Sequence, residues 1–307
     1  MKTSELGLGC WQFGGSFGFW ENQARCDSLS VLHWALRNGI RHFDTASSYG
    51  NGQSEQITGQ QVKRFSASIE RKELILSTKI MPKSPSLVEK DLKKSLARLC
   101  TDYLDILYLH WPSSAIDMHR ILDAMEALRQ KGLIRNLGVC NFPLHLLSSL
   151  ENHPIDYLQI PCSLLWMREA EERKQFCEQQ SIKLVGYSPL GVGLLNGQHL
   201  QAPQDLRKNF YVYNKMSYPL FFELHATLER MSKEKQVSIA TIALAWAMHQ
   251  GFDCLLIGAR NKTQLQENVS SSSLLLSEEE LSELSFYAKE LSTSAPADQD
   301  NLFGHRW

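Results

Sequence analysis

Three ionisable residues stand at the ends of consecutive short apolar runs. Ile40-Arg41-His42-Phe43-Asp44 ends in a carboxylate, Leu74-Ile75-Leu76-Ser77-Thr78-Lys79 in an ammonium, and Leu104-Asp105-Ile106-Leu107-Tyr108-Leu109-His110 in an imidazole. If each run is a strand, alternation puts Ile40, His42 and Asp44 on one face, and likewise Ile75, Ser77 and Lys79, and Ile106, Tyr108 and His110. A phenol, Tyr49, follows the first run in the loop Thr45-Ala-Ser-Ser-Tyr-Gly50. These four side chains together suit proton transfer. A free phenol ionises near pH 10. A buried ammonium beside it favours the phenolate, and a carboxylate keeps that ammonium charged and in place. The expectation is a phenol that gives and takes a proton near neutrality, worth roughly 10²–10⁴ in rate, with the imidazole holding a carbonyl oxygen. Taken singly, each residue has an ordinary explanation: Asp44 as a turn residue, Lys79 as a solvated strand end, His110 as a core side chain, Tyr49 as a loop anchor. Convergence on one rim is what gives them weight. No Cys/His spacing of a metal site accompanies them, so no metal is expected. What the four lack is a hydride source.

The elements that would position them read as eight strands: Glu5–Leu8, Ile40–Asp44, Leu74–Lys79, Leu104–His110, Ile134–Val139, Tyr157–Pro161, Lys183–Tyr187 and Cys254–Ile257. Each is short and continuously apolar, as strands buried on both faces are. Helical patterns lie between them, at Arg25–Asn38, Leu87–Leu99, Ile116–Gln130 and Pro143–Asn152. Strand ends recur about every thirty residues, the spacing of a strand–helix unit. Eight such units predict an α/β fold, a parallel eight-stranded (β/α)8 TIM barrel occupying residues 1–307 as one domain. Active sites of such barrels lie at the C-terminal ends of the strands. The longer interval before the last strand is read as a loop over Gly191–Pro219, then helices near Phe221–Lys235 and Ser238–Gln250. Two extra helices follow the last strand, Thr263–Ser271 and Ser277–Leu291, the second opened by the capping box Ser277-Glu-Glu-Glu280. The rival architecture, an open doubly wound sheet, loses its usual dinucleotide fingerprint because the chain contains no G-x-G-x-x-G.

Composition excludes other classes. Lys and Arg total 32 against 33 Asp and Glu, a net charge of −1. That balance argues against nucleic acid or an anionic membrane as partner. No apolar run approaches the length of a membrane span or a secretory leader. The cysteines number 7, an odd count without C-x-x-C spacing, which predicts a reducing cytoplasmic setting.

With these residues in place, the sequence resembles the aldo-keto reductase superfamily along nearly its whole length. The matching segments, in order, are Leu6-Gly-Leu-Gly-Cys-Trp11, Phe43-Asp44-Thr-Ala-Ser-Ser-Tyr49-Gly50, Ser77-Thr-Lys79, Leu107-Tyr-Leu-His110-Trp-Pro112, Gly138-Val-Cys-Asn141-Phe142, Gln159, Gly186-Tyr187-Ser-Pro-Leu190-Gly191, and Gly258-Ala-Arg260-Asn-Lys-Thr-Gln264-Leu-Gln-Glu267-Asn268. The resemblance supplies the missing hydride source, a nicotinamide cofactor bound extended across the C-terminal rim. It implies that Tyr49 is the general acid in carbonyl reduction and the base in alcohol oxidation, that Lys79 and Asp44 tune it, and that His110 orients the carbonyl. It implies carboxamide binding by Asn141 and Gln159 with Cys140 adjoining, and stacking by Tyr187. Ser188, Leu190 and Gly191 are implied at the pyrophosphate, and Gly258, Arg260, Gln264, Glu267 and Asn268 at the adenosine end. Arg260 could pair with a 2′-phosphate, which favours NADPH over NADH.

Two departures from the family pattern stand out. Cys140 replaces the usual Ser, a stronger hydrogen-bond donor. The first strand begins almost at Met1, without the short hairpin that plugs the barrel floor in similar members, so three expectations stay open: an open floor, a floor covered by another chain in an oligomer, or a true start upstream. Aromatic residues crowd the expected rim: Trp11, Phe13, Phe17, Phe19 and Trp20 after the first strand, Trp111 after the fourth, and Phe303 and Trp307 in a tail that also carries His305 and Arg306. Trp11, Phe19, Trp20 and Trp111 are the candidate substrate pocket. A small carbonyl or alcohol is the expected partner, with aliphatic, aromatic and sugar aldehydes all open. The alternative function is a regulatory subunit of the same fold that holds the cofactor as a redox sensor, as potassium-channel beta subunits do. A Glu in place of His110 would instead have suggested reduction of a carbon–carbon double bond.

Overall fold

A computed structural model describes residues 5–15, 19–81, 83–197, 201–296 and 301–303. Eight strands form a closed parallel barrel in chain order: β1 Glu5–Gly9, β2 His42–Asp44, β3 Ile75–Ile80, β4 Leu104–Leu109, β5 Ile134–Cys140, β6 Tyr157–Pro161, β7 Lys183–Tyr187 and β8 Cys254–Ile257, with β8 paired to β1. Among the described residues ten α-helices surround it: α1 Arg25–Arg37, α2 Gln53–Phe65, α3 Pro85–Leu99, α4 Met118–Gln130, α5 Leu144–Ser149, α6 Ala170–Gln180, α7 Pro219–Lys235, α8 Ile239–Met248, α9 Lys262–Ser270 and α10 Glu278–Thr293. Helix starts follow ordinary capping chemistry. Pro85 and Pro219 open α3 and α7, Asp117, Ser238 and Asn261 cap α4, α8 and α9, and the expected capping box at Ser277 and Glu280 is formed.

The expected barrel and the two helices beyond the last strand are present. Boundaries differ in detail. The second strand starts at His42 rather than Ile40, and His110 lies just past β4, its N–H donating to the Ile80 carbonyl at 2.8 Å. The interval read as one loop contains short 3-10 turns at Gly191–Gly193, Leu206–Asn209 and Tyr211–Ser217. Helix α2 offers only a sparse apolar face of Ile57, Val62 and Phe65, and α6 offers no apolar stripe. The first is polar with Gly59 near its middle, and the second reads AEERKQFCEQQ.

Alternation sorts the strand residues as expected. Phe43, Leu76, Leu107, Leu109, Leu137 and Leu158 point outward into the main core shared with the helices. Ile106, Tyr108 and Cys140 form an inner cluster with Tyr157, and Val185, Cys254 and Leu256 form another. Tyr108 lies across the barrel because residue 138 is glycine: a Cβ there would sit 2.3 Å from the Tyr108 ring. At the N-terminal end of the interior, Tyr157 packs edge-on to Tyr108 and the Lys183 ammonium stands 5.5 Å over the Tyr157 ring, so side chains fill the floor at this point.

That same end carries a repeated device. Asp105, Asp156 and Asp253, each at or just before an even-numbered strand, accept the backbone N–H of Leu76, Leu137 and Leu184 on the preceding strand, at 2.9, 2.8 and 2.8 Å. Arg71 and Arg135 neutralise Asp105, and Arg129 neutralises Asp156. Each aspartate therefore staples one strand to the next with a charge-assisted bond.

Candidate active site

The strand register brings the expected residues to one level. Asp44 pairs opposite Ser77, and Lys79 opposite Tyr108. Asp44, Ser77 and Lys79 are each at most 3% exposed. The Lys79 ammonium donates to Asp44 Oδ1 and, at 2.9 Å, to the Thr45 carbonyl. Asp44 Oδ2 accepts from Ser77 Oγ at 2.7 Å and from Gln159 Nε2 at 3.1 Å.

Tyr49 is delivered by a tight turn, Tyr49–Gly52, whose residues Gly50, Asn51 and Gly52 all have left-handed backbones, at φ 58°, 51° and 90°. Gly-Asn-Gly is the sequence such a turn calls for. A Cβ on Gly50 would lie 2.0 Å from the Gly14 carbonyl oxygen, a backbone neighbour that cannot yield. Gly50→Ala is expected to cost at least about 2 kcal/mol of stability and to displace Tyr49. Urea unfolding and turnover would both show it, and an unchanged midpoint would sink the prediction.

Tyr49 lies with its ring 5.2 Å from Lys79 Nζ and edge-on to His110 at 5.8 Å between centroids. Its environment corrects one expectation. Burial pushes the phenol up to about 12; the Lys79 charge and hydrogen bond pull it down, but Asp44 and Cys140 push it up again. The phenol thus holds its proton at neutrality instead of exchanging it there, because desolvation outweighs the single cation. For Lys79, burial opposes the charge, yet Asp44, with Tyr49 and Cys140, more than restores it and holds the ammonium above the usual lysine range. Burial and the Lys79 charge both depress His110, so its imidazole is neutral near pH 7. Its Nδ1 faces Ser48 Oγ at 3.4 Å.

These groups open onto a cleft of about 480 Å³ at the C-terminal mouth of the barrel. At one end are Tyr49, His110, Asn141 and Gln159. Asn141 Nδ2 donates to the His110 carbonyl at 3.1 Å and Asn141 Oδ1 accepts from Tyr187 at 2.6 Å. Ser188 and Leu190 line the middle. Gly258, Arg260, Gln264, Glu267 and Asn268 line the far end, where Gln264 accepts from the Arg260 N–H and Asn268 donates to the Gly258 carbonyl, both at 2.9 Å. Two expected cofactor residues lie apart from this lining. Cys140 faces the barrel interior against Ile106 and Tyr108, and Gly191 is buried in the turn after Leu190.

The aromatic residues divide. Trp11 packs against Tyr49, Phe19, Phe210 and Phe303, with centroids 5.8–6.0 Å apart, and Phe303 also meets Trp111 edge-on at 5.8 Å. Trp20 meets Trp11 edge-on at 5.4 Å and also carries the Arg207 guanidinium 3.9 Å over its ring, with Asp205 pairing to Arg207 in bidentate fashion. Phe13 is core. Phe17, His305, Arg306 and Trp307 lie outside the described residues. Sequence reading missed Arg207, Gln12 and Phe210 as lining or wall residues. None had a spacing signal, since two come from the loop after β7 and one from the turn after β1.

The donor set fits an extended dinucleotide. Neutral amides stand at one end. At the other stand Arg207, already paired with Asp205, and Arg260, which burial and then the Arg207 charge lower, so an anion beside Arg260 would favour its charged form. Gln12 Oε1 and Trp20 Nε1 are buried without hydrogen-bond partners and belong to residues that line the cleft, as groups reserved for a ligand would.

The sequence model of the aldo/keto reductase family matches residues 5–287. The chain belongs to the aldo/keto reductase family. As a member it is an oxidoreductase. It is 28% identical over 283 residues to an aldo-keto reductase of Bacillus subtilis, covering 87% of this chain and 84% of that one. It is 28% identical over 311 residues to a chloroplastic pyridoxal reductase of Arabidopsis thaliana, covering 94% and 84%. Among solved structures it resembles a thermostable aldo-keto reductase crystallised with the inhibitor epalrestat, at TM-score 0.75 and 28% identity, covering 92% and 94%. It also shares the fold of an aldo/keto reductase of Klebsiella pneumoniae crystallised with NADP and acetate, at TM-score 0.76 and 22% identity, covering 99% of each. In this aldo/keto reductase no described helix is long and apolar enough to cross a membrane, no described cluster suits a metal ion, and all seven cysteines are free.

Proposed function

We propose that the protein reduces the carbonyl of an aldehyde or ketone to an alcohol with NADPH, or runs the reverse reaction, using Tyr49 as the proton donor. The observation that carries this reading is the meeting of Tyr49, Lys79, Asp44 and His110 at the barrel mouth, beside a cleft with amides at one end and arginines at the other. Bound NADPH would supply a hydride to the carbonyl carbon. The chain does the rest. Asn141 and Gln159 would hold the carboxamide, the Tyr187 ring would support the nicotinamide, and Arg260 with Arg207 would hold phosphate. His110, neutral, donates an N–H to the carbonyl oxygen. Tyr49 gives that oxygen its proton, and the Lys79 ammonium stabilises the charge left on the phenol. Because the wall around Tyr49 is aromatic and the arginines lie at the far end, the favoured substrate is an uncharged carbonyl compound with an apolar arm. The free cysteines suit a reducing cytoplasm.

Purified protein assayed with NADPH and NADH against a panel of aldehydes and ketones tests this. NADPH should be consumed faster. Arg260→Gln should raise the KM for NADPH about 10- to 100-fold, the equivalent of one charge-assisted hydrogen bond, and spare NADH. Equal effects on both cofactors would remove Arg260 from 2′-phosphate binding. Tight cofactor binding without turnover of any carbonyl would instead point to a cofactor-holding subunit.

A further inference from the structure

Asp44 receives more than the Lys79 bond. Ser77 Oγ donates to Asp44 Oδ2 at 2.7 Å, His42 Nε2 stands 3.1 Å from Ser77 Oγ, and Cys254 Sγ stands 3.5 Å from His42 Nδ1. Asp44 lines the cleft and the other three side chains lie beneath it inside the barrel; Asp44, Ser77, His42 and Cys254 are at most 8% exposed. The hydroxyl has one proton, and the carboxylate, which only accepts, takes it. His42 must then donate from Nε2, which leaves Nδ1 to accept the Cys254 thiol. Every link points the same way, toward Asp44.

We propose that Ser77 and His42 are positioning residues that fix the Asp44 carboxylate and spread its charge, so that Lys79 acts on Tyr49 with more of its positive charge uncancelled. This rests on the reading of Tyr49 as the proton donor. The physical reason is competition. Asp44 and Lys79 act on the Tyr49 phenol with opposite sign, and each hydrogen bond donated to Asp44 draws negative charge away from the ammonium. The ionisable groups around Tyr49 are Lys79 on β3, Asp44 on β2, Cys140 on β5, His110 after β4 and Tyr187 on β7. Those around His42 are Asp44, Lys79, Asp105 and Cys254. Burial keeps His42 neutral down to about pH 4, so it serves as a fixed dipole throughout the working range.

The test is the pH profile of alcohol oxidation, whose rising limb reports loss of the Tyr49 proton. Ser77→Ala should move that limb up by about half to one unit with the KM for cofactor unchanged. His42→Leu should do the same. His42→Gln, whose amide can donate from the position of Nε2, should restore the original limb. The double variant Ser77→Ala/His42→Leu should shift no further than Ser77→Ala alone, as two links of one chain require. Nitrogen-15 spectra of histidine-labelled, cofactor-free protein should show His42 as the Nε2–H tautomer at neutral pH. An Nδ1–H tautomer, or an unmoved limb in Ser77→Ala protein that binds cofactor normally, overturns the proposal. Tyr49→Phe separates the two readings. If it keeps full turnover, the proton-donor reading fails. If it is inactive while Ser77→Ala behaves as wild type, only the role of Ser77 and His42 fails.

Discussion

Tyr49→Phe should lower kcat for carbonyl reduction by roughly 10²–10⁴ while leaving stability and cofactor affinity near wild type. The ring keeps its contacts with Trp11 and His110, and only the hydroxyl is lost, so the effect reads the proton and little else. The pH dependence follows in sign from the same burial. A phenol raised to about 12 is protonated across the neutral range. Reduction, which needs the proton present, should therefore be flat through neutrality. Oxidation, which needs it absent, should rise with pH. Stopped-flow or steady-state rates in both directions decide the matter. Full activity in Tyr49→Phe, or oxidation fastest in acid, would remove Tyr49 from the proton transfer.

Lys79→Met is expected to fail in two ways at once. Lys79 is 1% exposed and its ammonium faces Asp44. Removing one partner of a buried pair strands the other charge, at about 3–5 kcal/mol. Ser77 and Gln159 would still donate to Asp44, which places the loss toward the lower end. Activity should fall as well, because the remaining influences on Tyr49, burial and Asp44, both raise it. The measurement is urea unfolding beside kcat. A stable, inactive Lys79→Met would mean that the ammonium serves only chemistry. An unstable variant with normal kcat per folded molecule would mean that it serves only the fold. A Lys79→Met/Asp44→Asn double variant should recover part of the stability, since no buried charge is then left alone, without recovering turnover.

The barrel and its ionisable rim were legible because both are written as short-range patterns. Apolar runs of strand length, each ended by Asp44, Lys79 or His110, state where the strands stop and which face carries the chemistry. The same alternation set His42 and Ser77 beside Asp44 and Lys79, yet no role could be read for them. Their contribution depends on which neighbour each faces across the barrel, and that is fixed by the register between β2 and β3. The sign of the Tyr49 shift was misread for a related reason. A spacing argument sees the cation next to the phenol but not the loss of water around it, and here the lost water dominates. Helix α6 was missed because it lies against the barrel with a largely polar sequence, and Arg207 because a loop residue's place over the cleft follows from the whole path of the chain. Asp105, Asp156 and Asp253 carried no signal in the sequence, because their partners lie on the neighbouring strands.

Those three aspartates divide the ring into stapled doublets, β3 with β4, β5 with β6, and β7 with β8. Among the described residues no aspartate does this for β1 and β2, whose register pairs are Leu8–Phe43 and Gly9–Asp44. The circumference is therefore unevenly stitched at its N-terminal end, while at the mouth β1 and β2 are held by the Cys10 N–H on the Asp44 carbonyl at 2.8 Å and by Ser54 Oγ on the Cys10 carbonyl at 2.6 Å. Any loosening between β1 and β2 therefore belongs to the floor of the barrel, and the mouth that carries Trp11 and Tyr49 stays tied whatever the floor does.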